Sequence, residues 1–182
     1  LDVSNASHYD GATSLAEAAL VALNHTDRPK LLVARSPHPH YRETIRTYLA
    51  GTPYKVEELG FDGRGNFSPE EFDAKLDENV AGVIFQTPNF FGNVENLDGV
   101  SEKIHANGSL LILTADPLSL GLFKSLGEWG ADIAAGEGQP LGLAMEFGGP
   151  YLGYFVTTQA LMRRIPGRLA GLTQDADGKR AF

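Results

Sequence analysis

Five short stretches of the chain set out side chains that could hold a small, planar, anionic ligand. DGATSLAEAAL opens a helix with Gly11, Ala12, Thr13 and Ser14; free N–H groups and the helix dipole at such a start favour a phosphate, and the same residue types also serve as plain helix caps. His38 and His40 in SPHPHYR follow the apolar run KLLVA, so an imidazole there could stack on a ring, ligate a metal or lie solvated in a loop. Asn89 in QTPNFFG follows AGVIFQ, where its amide could orient a phenolate or carboxylate, or shape a turn beside Phe90 and Phe91. Asp116 emerges from SLLILTA directly before Pro117, and a carboxylate in that place could grip a protonated ring nitrogen or begin a turn. GEGQPLG sets Gly136, Gly138 and Gly142 after a strand in the form of a dinucleotide loop. However, Pro140 and the following LAMEFGGPYLG give no helix for a pyrophosphate, and no acidic residue falls about 20 positions on at a strand end.

Other signatures of site chemistry are missing. There is no GxSxG elbow, no GxxxxGK[ST] phosphate loop and no HExxH pair, and His8, His25 and His105 form no zinc spacing with His38 and His40. The absence of Cys excludes a disulfide framework, a thiolate zinc site and a cysteine nucleophile. Fifteen Lys and Arg against 23 Asp and Glu leave a net charge of -8, the wrong sign for a nucleic-acid partner. No apolar run approaches the roughly 20 residues of a membrane-spanning helix, and LDVSNASHYD lacks the basic-then-apolar form of a secretory leader. The expectation is a cytoplasmic chain with neither nucleic acid nor membrane as partner. Without a leader, the four NxS or NxT matches starting at Asn5, Asn24, Asn66 and Asn107 carry no weight.

The elements that must position these side chains alternate. SLAEAALVALN (14–24) repeats apolar residues at helical spacing, with Thr13 or Ser14 as the expected N-cap. KLLVA reads as a strand, HYRETIRTYLAG as a helix ending at Gly51, YKVEEL as a strand, and GRGN as a turn. SPEEFDAKLDE reads as a helix with Ser68 at N-cap and Pro69 at its first position. AGVIFQ, SLLILTA and GADIAAG read as strands, with NLDGVSEKIHANG helical up to Gly108; Gly136 to Gly153 is expected to be a functional loop or hairpin. Such alternation, with 42% hydrophobic residues to fill a core, predicts an α/β fold. Its mostly parallel sheet is covered by helices on both faces, and ligand chemistry belongs in the loops after the strand carboxyl ends.

Taken in order, NASHYDGATSLAEAAL, HPHYRETIRTY, GVIFQTPNFFG, TADPLSLG, GADIAAGEGQPLGL and FGGPYLGYF resemble the glycine cleavage system P-protein family in its alpha-subunit form. More broadly, they resemble the large domain of fold-type I enzymes that use pyridoxal phosphate (PLP). The resemblance covers nearly the whole chain. It implies a three-layer αβα sandwich with a mostly parallel mixed sheet, and residues 1–182 as a single large domain of the PLP-dependent transferase type. That domain would be part of a longer subunit with residues before Leu1 and a smaller domain after Phe182, in keeping with a first residue that is not Met.

The resemblance also implies a degenerate cofactor site. In it the helix start at Thr13 and Ser14 faces the phosphate, His38 the ring face, Asn89 the ring hydroxyl and Asp116 the pyridine nitrogen. The position of the Schiff-base lysine falls on Gln139, or on Pro140 if the loop is one residue shorter, and neither can form an imine. Lys124 and Lys179 are the nearby lysines in sequence, and neither sits where the motif requires. On this resemblance the complex decarboxylates glycine on PLP and passes the aminomethyl group to the lipoyl arm of H-protein. The cofactor is then held by a homologous beta subunit and this chain completes the assembly. The alternatives are a non-catalytic interaction protein with a degenerate enzyme fold and, more remotely, a stand-alone PLP enzyme using Lys124.

Overall fold

Leu31 and Val33 pack on one side of a central sheet while Leu32 and Ala34 pack on the other, as the two-residue period of a strand requires. A strand apolar at four consecutive positions needs cover on both faces, and the computed structural model, which describes residues 1–182, supplies both. The elements run β1 (Val3–Ser4), α1 (Gly11–Thr26), β2 (Lys30–Ala34), α2 (Pro39–Leu49), β3 (Lys55–Leu59), α3 (Pro69–Lys75), β4 (Val80–Gln86), α4 (Val100–Ala106), β5 (Leu110–Thr114), β6 (Ile133–Glu137) and β7 (Gly153–Thr157). A small antiparallel pair, β8 (Thr173–Gln174) and β9 (Arg180–Ala181), ends the chain. Three 3-10 turns lie between these elements: Pro117–Gly121, Gln139–Leu141 and Gln159–Arg164.

The strands order as β1-β7-β6-β5-β4-β2-β3; β2 to β6 are parallel, and β7 is antiparallel to both β6 and β1. One core lies between the sheet and α1 and α2, with Leu15, Leu23, Ile45 and Leu49 from the helices. The other is built under α3 and α4 around Phe72, Phe85 and Ile104. Each fully buried Leu, Ile or Phe of these layers contributes roughly 1.5–3 kcal/mol. Arg42 and Arg46 of α2 both reach Glu58 of β3 at 2.5 Å, which fixes α2 and the residues at its start against the sheet edge.

The chain steps from β2 outward to β3 and then returns across β2 to β4, so the sheet reverses its direction of growth between β2 and β4. Loops after strands on either side of such a point diverge and leave a crevice. His38 follows β2, Asn89 follows β4, Asp116 follows β5 and Gln139 follows β6, so all four stand at one end of the sheet.

Most expected elements are present, with α3 opening at Pro69 behind a Ser68 hydroxyl that accepts the Glu71 N–H. Two differences have physical causes. Helix α1 begins at Gly11, not at residue 14, and its N-cap is Asp10 in place of Thr13 or Ser14. The Asp10 carboxylate accepts the Thr13 N–H at 2.7 Å while Thr13 Oγ1 accepts the Asp10 N–H at 3.2 Å, a reciprocal capping box that consumes both residues. Helix α4 is shorter than NLDGVSEKIHANG, because Gly99 at φ 75 keeps the preceding residues out of the helix. The Gly-rich stretch forms the expected hairpin: it joins β6 to β7, which pairs antiparallel with it along five residues from Ile133 opposite Thr157 to Glu137 opposite Gly153.

Candidate functional site

The start of α1 carries the free N–H groups that any helix leaves at its first turn. The Thr13 N–H is taken by the Asp10 cap, and the Gly11 N–H has a partner from far along the chain. Glu137, the last residue of β6, accepts the Gly11 N–H through Oε2 at 2.9 Å, while its Oε1 accepts the N–H of Gln139 at 2.9 Å and of Leu152 at 3.1 Å. The backbones can come so close because residue 11 is a glycine. A Cβ there would stand 2.7 Å from the Glu137 nitrogen and 2.8 Å from the Gly136 carbonyl carbon.

The side chains expected around this point are placed as follows. Thr13 is held in the capping box with Asp10, and the buried Ser14 hydroxyl donates to the Tyr154 carbonyl at 2.5 Å. His38 caps α2: its Nδ1 accepts the His40 N–H at 3.1 Å, its own N–H donates to Gln86 Oε1 at 2.9 Å, and its ring lies 5.0 Å from Phe90 and 5.3 Å from Tyr41 between centroids. The Asn89 amide is buried and fully engaged. Its Nδ2 donates to the Gly65 carbonyl and Glu95 Oε1 at 2.8 Å each, and its Oδ1 accepts from the N–H groups of Phe91 and Asn93. Asp116 is exposed and accepts the Leu118 N–H at 2.9 Å, capping the turn that follows it. Gln139 points its amide at the Ala144 carbonyl, 3.4 Å away.

A cavity of about 150 Å³ lies among Tyr41, Gln86, Thr114, Ala115, Asp116, Glu137 and Pro140, small beside the roughly 300–1,000 Å³ of ordinary small-molecule sites. Of the six expected residues, Asp116 alone lines it. Its electrostatics are acidic. Burial pushes the Tyr41 hydroxyl well above the usual phenol range, and the ionisable groups that add to the effect are Glu137, Tyr154, Asp10 and Asp116. Tyr154 is pushed up to about 12, by burial first and then by Asp116, against a hydrogen bond with the Ala115 backbone. Both phenols therefore stay protonated at neutral pH.

PLP, the group that the resemblance implies, does not fit these residues. Its phosphate would meet Glu137 and Asp10 at the helix start, with the hydroxyls of Thr13 and Ser14 turned to protein partners. No amine stands at residue 139, since Lys124 lies 4.3 Å over the Trp129 ring and pairs with Asp98, and Lys179 pairs with Asp177. No group of three or more His, Asp and Glu side chains could hold a metal ion.

Two histidines respond to acid. Burial holds His8 below its ordinary value near 6.5 against the raising effects of Glu17 and the Pro166 backbone; burial and then His40 do the same for His38. The unfolded chain then binds more protons than the folded one just below pH 6.5, so stability falls as pH drops through that interval and levels off beneath the folded-state values. Urea unfolding midpoints between pH 7.5 and 5.5 should show this slope, and replacing both histidines with Gln should flatten it.

Glu137, Asp10, Tyr41 and Gln86 carry no motif of their own. The one available signal is position: Gln86 and Glu137 are the last residues of strands whose carboxyl ends face the crevice, and Tyr41 lies three residues after His38 at a helix start.

Comparison with known proteins shows the family and the fold. The family model described as glycine cleavage system P-protein matches residues 1–182. The chain is 46% identical over 182 residues to the probable glycine dehydrogenase (decarboxylating) subunit 1 of Brevibacillus brevis, covering all of this chain and 40% of that protein. It is 50% identical over 183 residues to the corresponding protein of Moorella thermoacetica, covering all of this chain and 41% of that one. A crystal structure of glycine decarboxylase (P-protein) of the glycine cleavage system, in inhibitor-bound form, superposes with a TM-score of 0.91 at 45% identity, over 99% of this chain and 40% of that one. A NifS-like protein matches at a TM-score of 0.66 and 14% identity over 96% of this chain and 45% of that one, which shows a shared fold alone. The chain thus spans about two fifths of the length of its curated relatives. The fold is the three-layer αβα sandwich of the PLP-dependent transferases, and the chain belongs to the glycine cleavage system P-protein family.

Proposed function

We propose that this chain is the large-domain part of the alpha half of a glycine decarboxylase, a half that carries no covalent cofactor. The decarboxylation of glycine and the transfer of its aminomethyl group to lipoyl H-protein then take place on PLP held by a partner beta subunit. The observation that carries this reading is the absence of an amine at Gln139 or anywhere along the cavity beside Asp116. Gln139 and Pro140 carry no amine at the position that the resemblance gives to the lysine, and Glu137 takes the Gly11 N–H that a phosphate would need.

A second observation favours assembly with a partner. Leu118, Leu122, Leu141, Leu143, Met145 and Phe147 are all exposed, the most open being Leu122 at 86%, Met145 at 80% and Phe147 at 102%. They come from two neighbouring segments, the turn after β5 and the loop between β6 and β7, beside the cavity. An apolar surface of this kind on a chain of net charge -8 suits burial against another subunit better than contact with water. No helix is long and apolar enough to cross a membrane, and the site belongs to a cytoplasmic complex in this reading.

The test is borohydride reduction in the presence of PLP, followed by peptide mapping, on this chain alone and then with the beta subunit. The expected adduct lies on a lysine of the beta subunit, with none on this chain. A defined adduct at Lys124 or Lys179 would overturn the proposal in favour of a catalytic domain. Reconstitution of full-length alpha with beta separates the remaining alternative: glycine decarboxylation supports the enzyme half, and binding without turnover would leave a purely structural partner.

A further inference from the structure

We infer that Glu137 is a built-in replacement for a ligand anion: its carboxylate fills the seat at the start of α1 and turns that seat into a clip on the loop between β6 and β7. Calling the replaced anion a cofactor phosphate rests on the reading above; the filled seat does not.

Three N–H groups from three separate places converge on the one carboxylate. Gly11 belongs to the first turn of a 16-residue helix, Gln139 to the beginning of the β6–β7 loop and Leu152 to its end. Backbone N–H donors at a helix start are the standard seat for phosphate, and hydrogen bonds to a carboxylate are about twice as strong as neutral ones. The other requirements of a phosphate are reversed here. Asp10 adds a second acid as the N-cap, the Thr13 and Ser14 hydroxyls face Asp10 and Tyr154, and Asp116 and Glu137 both line the cavity. With the β6 backbone already inside contact distance of position 11, no gap separates helix from strand for an anion to enter.

The clip has a structural consequence. Oε1 holds the N–H of residues 139 and 152 together and so closes the neck of the loop that bears Leu141, Leu143, Met145 and Phe147. A phosphate bound from solution would hold that neck only when present, whereas Glu137 holds it always.

Glu137→Ala removes the carboxylate and leaves the three donors facing a space the size of acetate. Its urea midpoint should fall by about 1 M and regain half or more of that loss, saturably, with sodium acetate or inorganic phosphate but not with sodium chloride at the same ionic strength. Glu137→Gln should lose stability without rescue, because its amide still fills the seat. If Glu137→Ala is unfolded as isolated, refolding on addition of acetate reads the same property. The wild-type chain, followed by phosphorus NMR of inorganic phosphate and by dialysis against PLP, should show no saturable binding. Absence of acetate-specific rescue in Glu137→Ala, or equal binding of phosphate by the wild-type chain, would overturn the inference. A lysine adduct on this chain would refute the cofactor reading and leave Glu137 in its seat, so the two failures are distinguishable.

Discussion

Glu95→Ala is expected to remove a large part of the chain's stability, although Glu95 lies outside the cavity and matches no motif. Glu95 is 1% exposed, and its carboxyl group gathers three buried donors: the Ser36 hydroxyl at 2.7 Å, the Asn89 amide at 2.8 Å and the Phe67 N–H at 3.1 Å. These come from the loop after β2, the loop after β4 and the segment leading into α3, so one side chain ties together the crevice walls. Alanine leaves the Ser36 hydroxyl and the Phe67 N–H unpaired and the Asn89 amide with the Gly65 carbonyl as its one acceptor. At roughly 1–3 kcal/mol for each of the two fully orphaned groups the loss is about 2–6 kcal/mol, a large share of the 5–15 kcal/mol of a typical domain. Glu95→Gln keeps an oxygen for two of the donors and turns an NH2 group toward the third, so it should lose about 1–3 kcal/mol. Urea unfolding followed by circular dichroism should give the order wild type, Gln, Ala. An alanine variant within 0.5 kcal/mol of wild type would show that water replaces the carboxyl group and that the network is not structural.

The same network shows why the sequence alone describes the fold better than the site. Helix α3 is legible because Ser68 and Pro69 fix its start by chemistry contained in adjacent residues, and β2, β4 and β5 are legible as apolar runs of strand length. The start of α1 is less so. Thr13 and Ser14 offer cap chemistry next to the apolar run, and only the reciprocal bonds between Asp10 and Thr13 reveal which residue is the cap. Strand β7 is obscured by its neighbours: Gly148, Gly149, Pro150 and Gly153 are loop-forming residues, and β7 is a strand because β6 and β1 flank it on both sides.

At the site, Asp116 is legible as an acid leaving the most apolar strand, and the structure does bring it to the cavity. Asn89 is legible as a loop amide after β4, yet which partner it takes depends on Glu95 and Gly65, the latter 24 residues away. Glu137 is beyond any local pattern. Its meaning comes from Gly11, 126 residues earlier in the chain, and from a sheet order that sets the end of β6 under the start of α1. Residue type and spacing show that a helix start could receive an anion; only the folded chain shows that it has received one of its own.

Gly153→Ala is expected to do the most damage of any single methyl addition near the site. Gly153 opens β7 and pairs on one side with Glu137 and on the other with His8, exchanging N–H to carbonyl bonds with His8 at 2.8 and 3.0 Å. A Cβ on residue 153 would lie 2.8 Å from the Asp10 carbonyl carbon and 2.8 Å from His8 Cβ, and would overlap the Asp10 carbonyl oxygen outright. The obstructing atoms are the backbone of Asp10, the N-cap of α1, and the Cβ of His8 before it, so relief requires moving residues 8–11 as a unit. That movement stretches the two His8 bonds, the Asp10 cap and the Gly11 bond to Glu137 together. Overpacking alone costs about 1–3 kcal/mol, and the loss of a cap adds about 1 kcal/mol, so a total near 3 kcal/mol or more is expected. Gly121→Ala is the control: nothing lies within 4 Å of its added methyl, and it should change stability by less than about 1 kcal/mol, toward stabilisation if at all. Urea midpoints of the two variants, with amide exchange at Gly11 and Leu152, check the expectation. Equal midpoints would mean that the 8–11 segment yields freely and that the close approach at the start of α1 is not under packing constraint.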